Sequence, residues 1–258
     1  MDAFKLFDVT AAVALVTGGS RGIGRMVAEG LLRAGARVYI CARKQPELDE
    51  TVAALSAIGP CHGIAADLGT PEGCRAIADS VATREDRLNI LVNNAGATWG
   101  APIDAFPRDA FDKVMTVNVT GVFDLTRHLL PLLRTAARAG EPARVINISS
   151  LAGIEPPETE SFSYSSSKAA VLMLTRHLAR RLASEGITVN AIAPGVFPSR
   201  MTAPFFREDG SQDKWDIPLG RVGAIEDIAG TVIFLGSRAG AYLTGAVLPL
   251  SGGMGTAN

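Results

Sequence analysis

Tyr164 and Lys168, four residues apart, are the first side chains whose types and spacing suit chemistry. On a helix they share one face. A free phenol titrates near ~10, too high to exchange protons readily at neutral pH, and a nearby ammonium favours the phenolate. The pair therefore suits proton transfer at an oxygen, with Tyr164 the acid in one direction and the base in the other. Ser149 and Ser150 stand shortly before it in the chain. Either hydroxyl can hydrogen-bond an oxygen on which charge develops.

A second constellation lies near the start. Thr17-Gly18-Gly19-Ser20-Arg21-Gly22-Ile23-Gly24 follows a short apolar run and precedes an amphipathic stretch. Between a strand and a helix, such glycines let the backbone approach a pyrophosphate, and the helix N-terminus favours its negative charge. The spacing is G-x-x-x-G-x-G, not the G-x-G-x-x-G of the common dinucleotide fingerprint. An NAD site wants a carboxylate at the end of the second strand for the ribose 2′-hydroxyl. This chain has Cys41-Ala42-Arg43 there, with no acid. Arg43 and Arg21 suit a 2′-phosphate, which they would bind by charge-assisted hydrogen bonds. NADP(H) is the expected cofactor, and a solvated surface charge is the alternative for Arg43.

The elements that must position these residues alternate. Strands are expected at Val13–Thr17, Arg37–Cys41, Cys61–Ala66, Ile90–Val92, Arg144–Ile148, Thr188–Ile192 and Ala246–Pro249. Helices are expected at Gly22–Ala34, Glu47–Ile58, Pro71–Arg84, Ser163–Ser184 and Glu226–Leu235. Arg108–Thr135 reads as two helices in tandem, with Pro131 at a kink or in a first turn. This alternation predicts parallel βαβ units with right-handed crossovers. Runs such as VALV, ILV and VINI suit strands covered on both faces. The expectation is one α/β, doubly wound Rossmann-type domain over residues 1–258. Its seven-stranded parallel sheet has the order 3-2-1-4-5-6-7, with ligands at the carboxyl ends of the strands.

Composition agrees and excludes other classes. The 258 residues carry 25 Lys and Arg against 26 Asp and Glu, a net charge of -1 that argues against a nucleic-acid binder. At 47% hydrophobic the chain is too apolar for disorder, and no apolar run is long enough for a membrane helix. The opening MDAFKLFDVT has no leader pattern, and the three cysteines lack metal spacing, so a cytoplasmic chain with reduced thiols and no metal is expected.

These motifs resemble the short-chain dehydrogenase/reductase family. The glycine loop matches its T-G-x-x-x-G-x-G, and Asn93-Asn94-Ala95-Gly96, Asn118, Ser149-Ser150, Tyr164-x-x-x-Lys168 and Pro194-Gly195 follow in the family's order. Within the family the chain is similar to the 3-oxoacyl reductases. The resemblance implies a catalytic set of Asn118, Ser150, Tyr164 and Lys168. Ser150 is preferred to Ser149, Lys168 also holds the nicotinamide ribose, and Asn118 anchors a water relay. It implies cofactor contacts from Gly18, Ser20, Arg21, Gly22, Ile23, Gly24 and Arg43. Asp67 and Leu68 lie against the adenine, Asn94, Ala95 and Gly96 line the groove, and Pro194 and Gly195 pass beside the nicotinamide. PGVFPSRMT departs from the family spacing and leaves Thr202 open between the carboxamide and a phosphate.

The implied activity is NADPH-dependent reduction of a small-molecule ketone, a 3-oxoacyl thioester or another apolar carbonyl, to a secondary alcohol. An alcohol dehydrogenase acting on a sugar or steroid, or a non-catalytic NADP-binding regulator, are the alternatives. Two segments should shape the substrate pocket. EPPETES at 155–161 is a pocket mouth or a solvated loop. Residues 196–218, with Phe197, Phe205, Phe206 and Trp215, are a lid or pack on the core. Arg200 and Arg207 suit an acidic carrier, which EPPETES would oppose. Apolar residues on more than one face of the long helices, Val114, Val117, Val122, Leu129, Leu172 and Leu178, suggest partner subunits. Relatives commonly form homotetramers through these helices.

Overall fold

The computed structural model describes residues 3–138, 141–199, 202–203 and 215–255. Phe205, Phe206, Arg200 and Arg207 lie outside the described residues.

Seven strands alternate with helices. They are β1 Val13–Thr17, β2 Arg37–Ala42, β3 Cys61–Ala65, β4 Ile90–Asn93, β5 Ala143–Ile148, β6 Ile187–Pro194 and β7 Val247–Leu250. All pairings are parallel, and the sheet order is β3-β2-β1-β4-β5-β6-β7. The order reverses between β1 and β4, and that switch point opens a crevice at the carboxyl ends of the strands. The principal helices are α1 Gly22–Arg33, α2 Gln45–Ser56, α3 Pro71–Ala82, α4 Arg108–Met115, α5 Gly121–Ala136, α6 Phe162–Leu182 and α7 Ile225–Gly236.

Successive strand residues point to opposite faces, so the sheet feeds two cores. Ala14 and Val16 of β1 join Val27 and Leu31 of α1, Leu48 of α2 and Val232 of α7 on one face. Val13 and Leu15 join Ile77 of α3, Leu125 and Leu129 of α5 and Ala179 of α6 on the other. Every residue of β1, β5 and β6 is buried, as continuous apolar strands with helices on both faces must be.

The departures from the expected elements are local. β6 runs from Ile187 to Pro194, longer than the expected Thr188–Ile192, because its outer residues still pair with β5 and β7. The tandem helices meet at a π turn, Thr116–Thr120, and Pro131 lies inside α5 rather than in its first turn. The two-faced helices also read differently in three dimensions. Val114, Val122, Leu129 and Leu172 are all buried within the chain itself, because α4 packs on α6, α5 packs on α3, and α5 and α6 both pack on the sheet. The large apolar side chains those helices leave exposed are Phe123, Phe162 and Met173. No described helix is long and apolar enough to cross a membrane.

Candidate active site

The glycine loop forms where β1 ends at the switch point. Gly18 adopts φ +64, which favours glycine, and turns the chain over the sheet edge. Gly19 N–H donates to Cys41 O at 3.2 Å, which lays the loop across the end of β2 beside exposed Arg43. A Cβ on Gly24 would stand 2.3 Å from Gly18 O and 2.4 Å from Asn94 Nδ2, so only glycine lets α1 begin this close. The α1 N-terminus has no side-chain cap from Arg21. Its first N–H groups are therefore left for an anion.

The Asn93–Gly96 segment braces this loop. Asn94 Nδ2 donates to Thr17 O at 2.8 Å and to Gly18 O at 3.3 Å, while Thr17 Oγ1 accepts from the Asn94 and Ala95 N–H groups, each at 2.9 Å. The Asn94 side chain is thus spent on the turn. Buried Asn93 sits below, donating to Thr126 Oγ1 and to Asn147 Oδ1. Asn147 in turn donates to Thr175 Oγ1. This ladder ties β4 and β5 to α5 and α6.

On the other side of the crevice, α6 carries Tyr164 and Lys168 on one face. Lys168 Nζ lies 5.5 Å from the centre of the Tyr164 ring and donates to Ile148 O at 2.9 Å. Lys168 is buried, and burial pulls its ammonium down to about 8. Burial pushes the Tyr164 phenol up, and the Ser150 hydroxyl beside it draws it back in part. The expected lowering of the phenol by the lysine is not what sets it: desolvation raises it, and the opposing effect comes from Ser150. Tyr164 therefore keeps its proton at neutral pH.

The two serines separate. Ser149 is buried and its Oγ donates to Lys168 O at 2.8 Å. Ser150 begins a short 3-10 turn, Leu151–Gly153, accepts from Ala152 N–H at 3.2 Å, and faces the phenol. Asn118 lies in the π turn, a feature that recurs at functional sites. Its amide accepts from Ala97 N–H at 2.7 Å, and donates to Ala97 O and Ser167 Oγ, each at 2.9 Å. Ser167 donates in turn to Tyr164 O at 2.7 Å.

The profile of the family described as short chain dehydrogenase matches residues 12–210. The chain belongs to that family. A rhamnolipids biosynthesis 3-oxoacyl-[acyl-carrier-protein] reductase of Pseudomonas aeruginosa is 49% identical over 249 residues, 96% of this chain and 97% of that protein. A gluconate 5-dehydrogenase of Gluconobacter oxydans is 34% identical over 265 residues, 96% of each chain. The solved Pseudomonas aeruginosa RhlG/NADP active-site complex superposes with a TM-score of 0.91 at 48% identity, covering 96% of this chain and 98% of that one.

In this short-chain dehydrogenase the remaining expected contacts fall around the same crevice. Asp67 is exposed just past the end of β3, where its Oδ1 accepts from Gly69 N–H, whereas Leu68 is buried in a core and its carbonyl faces Cys74 and Gly121. Pro194 ends β6, and Gly195 follows it at the carboxyl end of the sheet, its N–H donating to Leu250 O of β7. Thr202 Oγ1 donates to Phe197 O at 2.7 Å, so that hydroxyl closes its own loop. Phe197 is 3% exposed and packs on a core.

These residues fit a nicotinamide dinucleotide. A Cβ on Gly96 would sit 3.4 Å from Asn118 Oδ1 and 3.6 Å from Lys168 Nζ, so the missing side chain leaves the groove open beside the ammonium. At the opposite end, Arg21 and Arg43 are both exposed. Two residues carry no mark in the sequence that points to the site. Ser167 belongs to no pattern that singles it out. Ser199, whose Cβ lies 3.4 Å from a Cβ built on Gly22, is brought over the glycine loop by a segment far along the chain. Among the described residues no His, Cys, Asp or Glu cluster could hold a metal ion.

Proposed function

We propose that this chain reduces a ketone to a secondary alcohol with NADP(H), on a 3-oxoacyl thioester or another apolar carbonyl compound. The observation that carries the reading is Tyr164, a phenol with the Ser150 hydroxyl beside it and the buried Lys168 Nζ 5.5 Å from its ring centre. A protonated acid is what reduction of a carbonyl demands. The 3-oxoacyl relative and the NADP complex support the substrate class and the cofactor.

Bound in the groove, NADP(H) supplies the hydride that the carbonyl carbon accepts. Gly18, Gly22, Ile23 and Gly24 would hold its pyrophosphate, and Ser20, Arg21 and Arg43 its 2′-phosphate. Asp67 and Leu68 would border the adenine, and Asn94, Ala95, Gly96, Pro194 and Gly195 the groove toward the nicotinamide. Tyr164 gives its proton to the carbonyl oxygen. Ser150 donates a hydrogen bond to that oxygen as charge gathers on it. Lys168 would hold the nicotinamide ribose and keeps positive charge near the phenolate left behind. Asn118 is a positioning residue that fixes Ala97 and, through Ser167, the first turn of α6.

The rim favours apolar substrates. Trp99, Ile103 and Ile154 are exposed on the two loops that follow β4 and β5, which are joined by Ala101 N–H donating to Glu160 O. The gluconate relative favours the second reading, a polar alcohol as substrate. The test is NADPH oxidation with a 3-oxoacyl thioester, a ketone panel and gluconate-type sugars, with Tyr164→Phe as control. Turnover of the thioester, lost in Tyr164→Phe, is expected. A panel in which no substrate separates the two proteins ends the catalytic reading. We further propose a cytoplasmic enzyme that self-associates, as a homotetramer, through the helices that carry Phe123 and Met173.

A further inference from the structure

The seat expected for the 2′-phosphate already has an anion of the protein's own. Glu47, in the first turn of α2, accepts from Ser20 Oγ at 3.1 Å and pairs with Arg21 at 3.5 Å. Its side chain is 21% exposed against 50% for Arg21, so the carboxylate is the inner and more fixed partner. Buried Thr51, one turn along α2, donates to both Ser20 O and Glu47 O, which pins this helix turn to the glycine loop. An acid in a first turn is favoured by the helix macrodipole. That alone does not draw Ser20 and Arg21 onto the same oxygen.

We propose that Glu47 is a specificity-determining residue for the adenosine end of the cofactor: an internal competitor that the 2′-phosphate must displace from Ser20 and Arg21. The inference rests on the NADP(H) reading above. A phosphate carrying about -1.5 to -2 charge near a carboxylate is repelled, and the arginine it needs is already paired. The carboxylate therefore lowers the advantage of NADP(H) over NAD(H) below what two arginines would give. It also keeps Arg21 and Ser20 in place for the exchange.

Glu47→Gln removes the charge and keeps an oxygen that can accept from Ser20. Isothermal titration of NADP+ and NAD+, which differ only in the 2′-phosphate, reads the effect. With screening and half-exposed partners, the Kd for NADP+ is expected to fall about fivefold, and that for NAD+ by less than about twofold. Equal shifts, no shift, or weaker NADP+ binding overturns the proposal. A wild-type protein that binds NADP+ no tighter than NAD+ instead overturns the NADP(H) reading, whatever the variant does. Arg21→Gln made in both backgrounds supplies a second measurement. It should weaken NADP+ binding more when Glu47 is Gln, and equal losses would sink the competition.

Discussion

Ser149 and Lys168 are joined side chain to backbone, Ser149 Oγ donating to Lys168 O at 2.8 Å, while the Lys168 ammonium returns to Ile148 O at 2.9 Å. The end of β5 and the face of α6 are thereby clamped at two points. The clamp uses Ser149 and leaves Ser150 free to face the phenol.

Ser149→Ala and Ser150→Ala should therefore fail differently. Ser149→Ala removes a buried donor and leaves Lys168 O short of a partner, costing about 1 to 2 kcal/mol of stability. Its kcat should stay within about threefold. Ser150→Ala should leave the melting temperature nearly unchanged and lower kcat about 100-fold. Denaturant melts and steady-state kinetics on both variants decide it. Reversal of the two phenotypes would make Ser149 the catalytic hydroxyl.

Lys168 makes stability depend on pH in one direction. Burial lowers it from 10.5 to about 8. Below about 8 it is charged in both folded and unfolded chains, and burying that charge is a constant penalty. Between about 8 and 10.5 the unfolded chain binds more protons, so this group's contribution to stability rises with pH by up to about 3 kcal/mol. Lys168→Met lacks the titration. The wild type should gain on that variant in urea melts as pH goes from 7 to 10. A gap that stays flat would show that the lysine is not desolvated.

Gly24→Ala puts a methyl 2.3 Å from Gly18 O, a backbone atom that cannot swing away. The glycine loop must shift, and pyrophosphate contacts shift with it. We expect NADP+ affinity to fall at least about tenfold and stability by about 1 to 3 kcal/mol. Titration calorimetry and melts check it, and unaltered affinity would remove the loop from the cofactor site.

Phe123 is 44% and Met173 61% exposed, each on a helix over the same face of the sheet. If they meet partner subunits, Phe123→Glu with Met173→Glu should shift sedimentation at micromolar concentration from tetramer to smaller species. A wild-type monomer at that concentration would end the self-association reading.

Much of the fold and of the candidate site is legible in the order of the amino acids alone. Unbroken apolar runs at βαβ spacing are themselves the signature of strands buried on both faces, so the strands and their parallel doubly wound arrangement follow from local pattern. Helical spacing puts Tyr164 and Lys168 on one face, and the glycine run marks the anion site. Tertiary structure decides what depends on neighbours remote in the chain. Desolvation by surrounding elements sends the phenol up rather than down. Packing of α4 against α6 buries Val114 and Leu172, which on their own helices look two-faced. Thr17 and Gly18 take up the Asn94 side chain from across the switch point, and Glu47 reaches Arg21 and Ser20 only because α2 folds back onto the loop. A sequence displays spacing along one helix or strand. Burial, and which polar group finds which, are properties of the assembled chain.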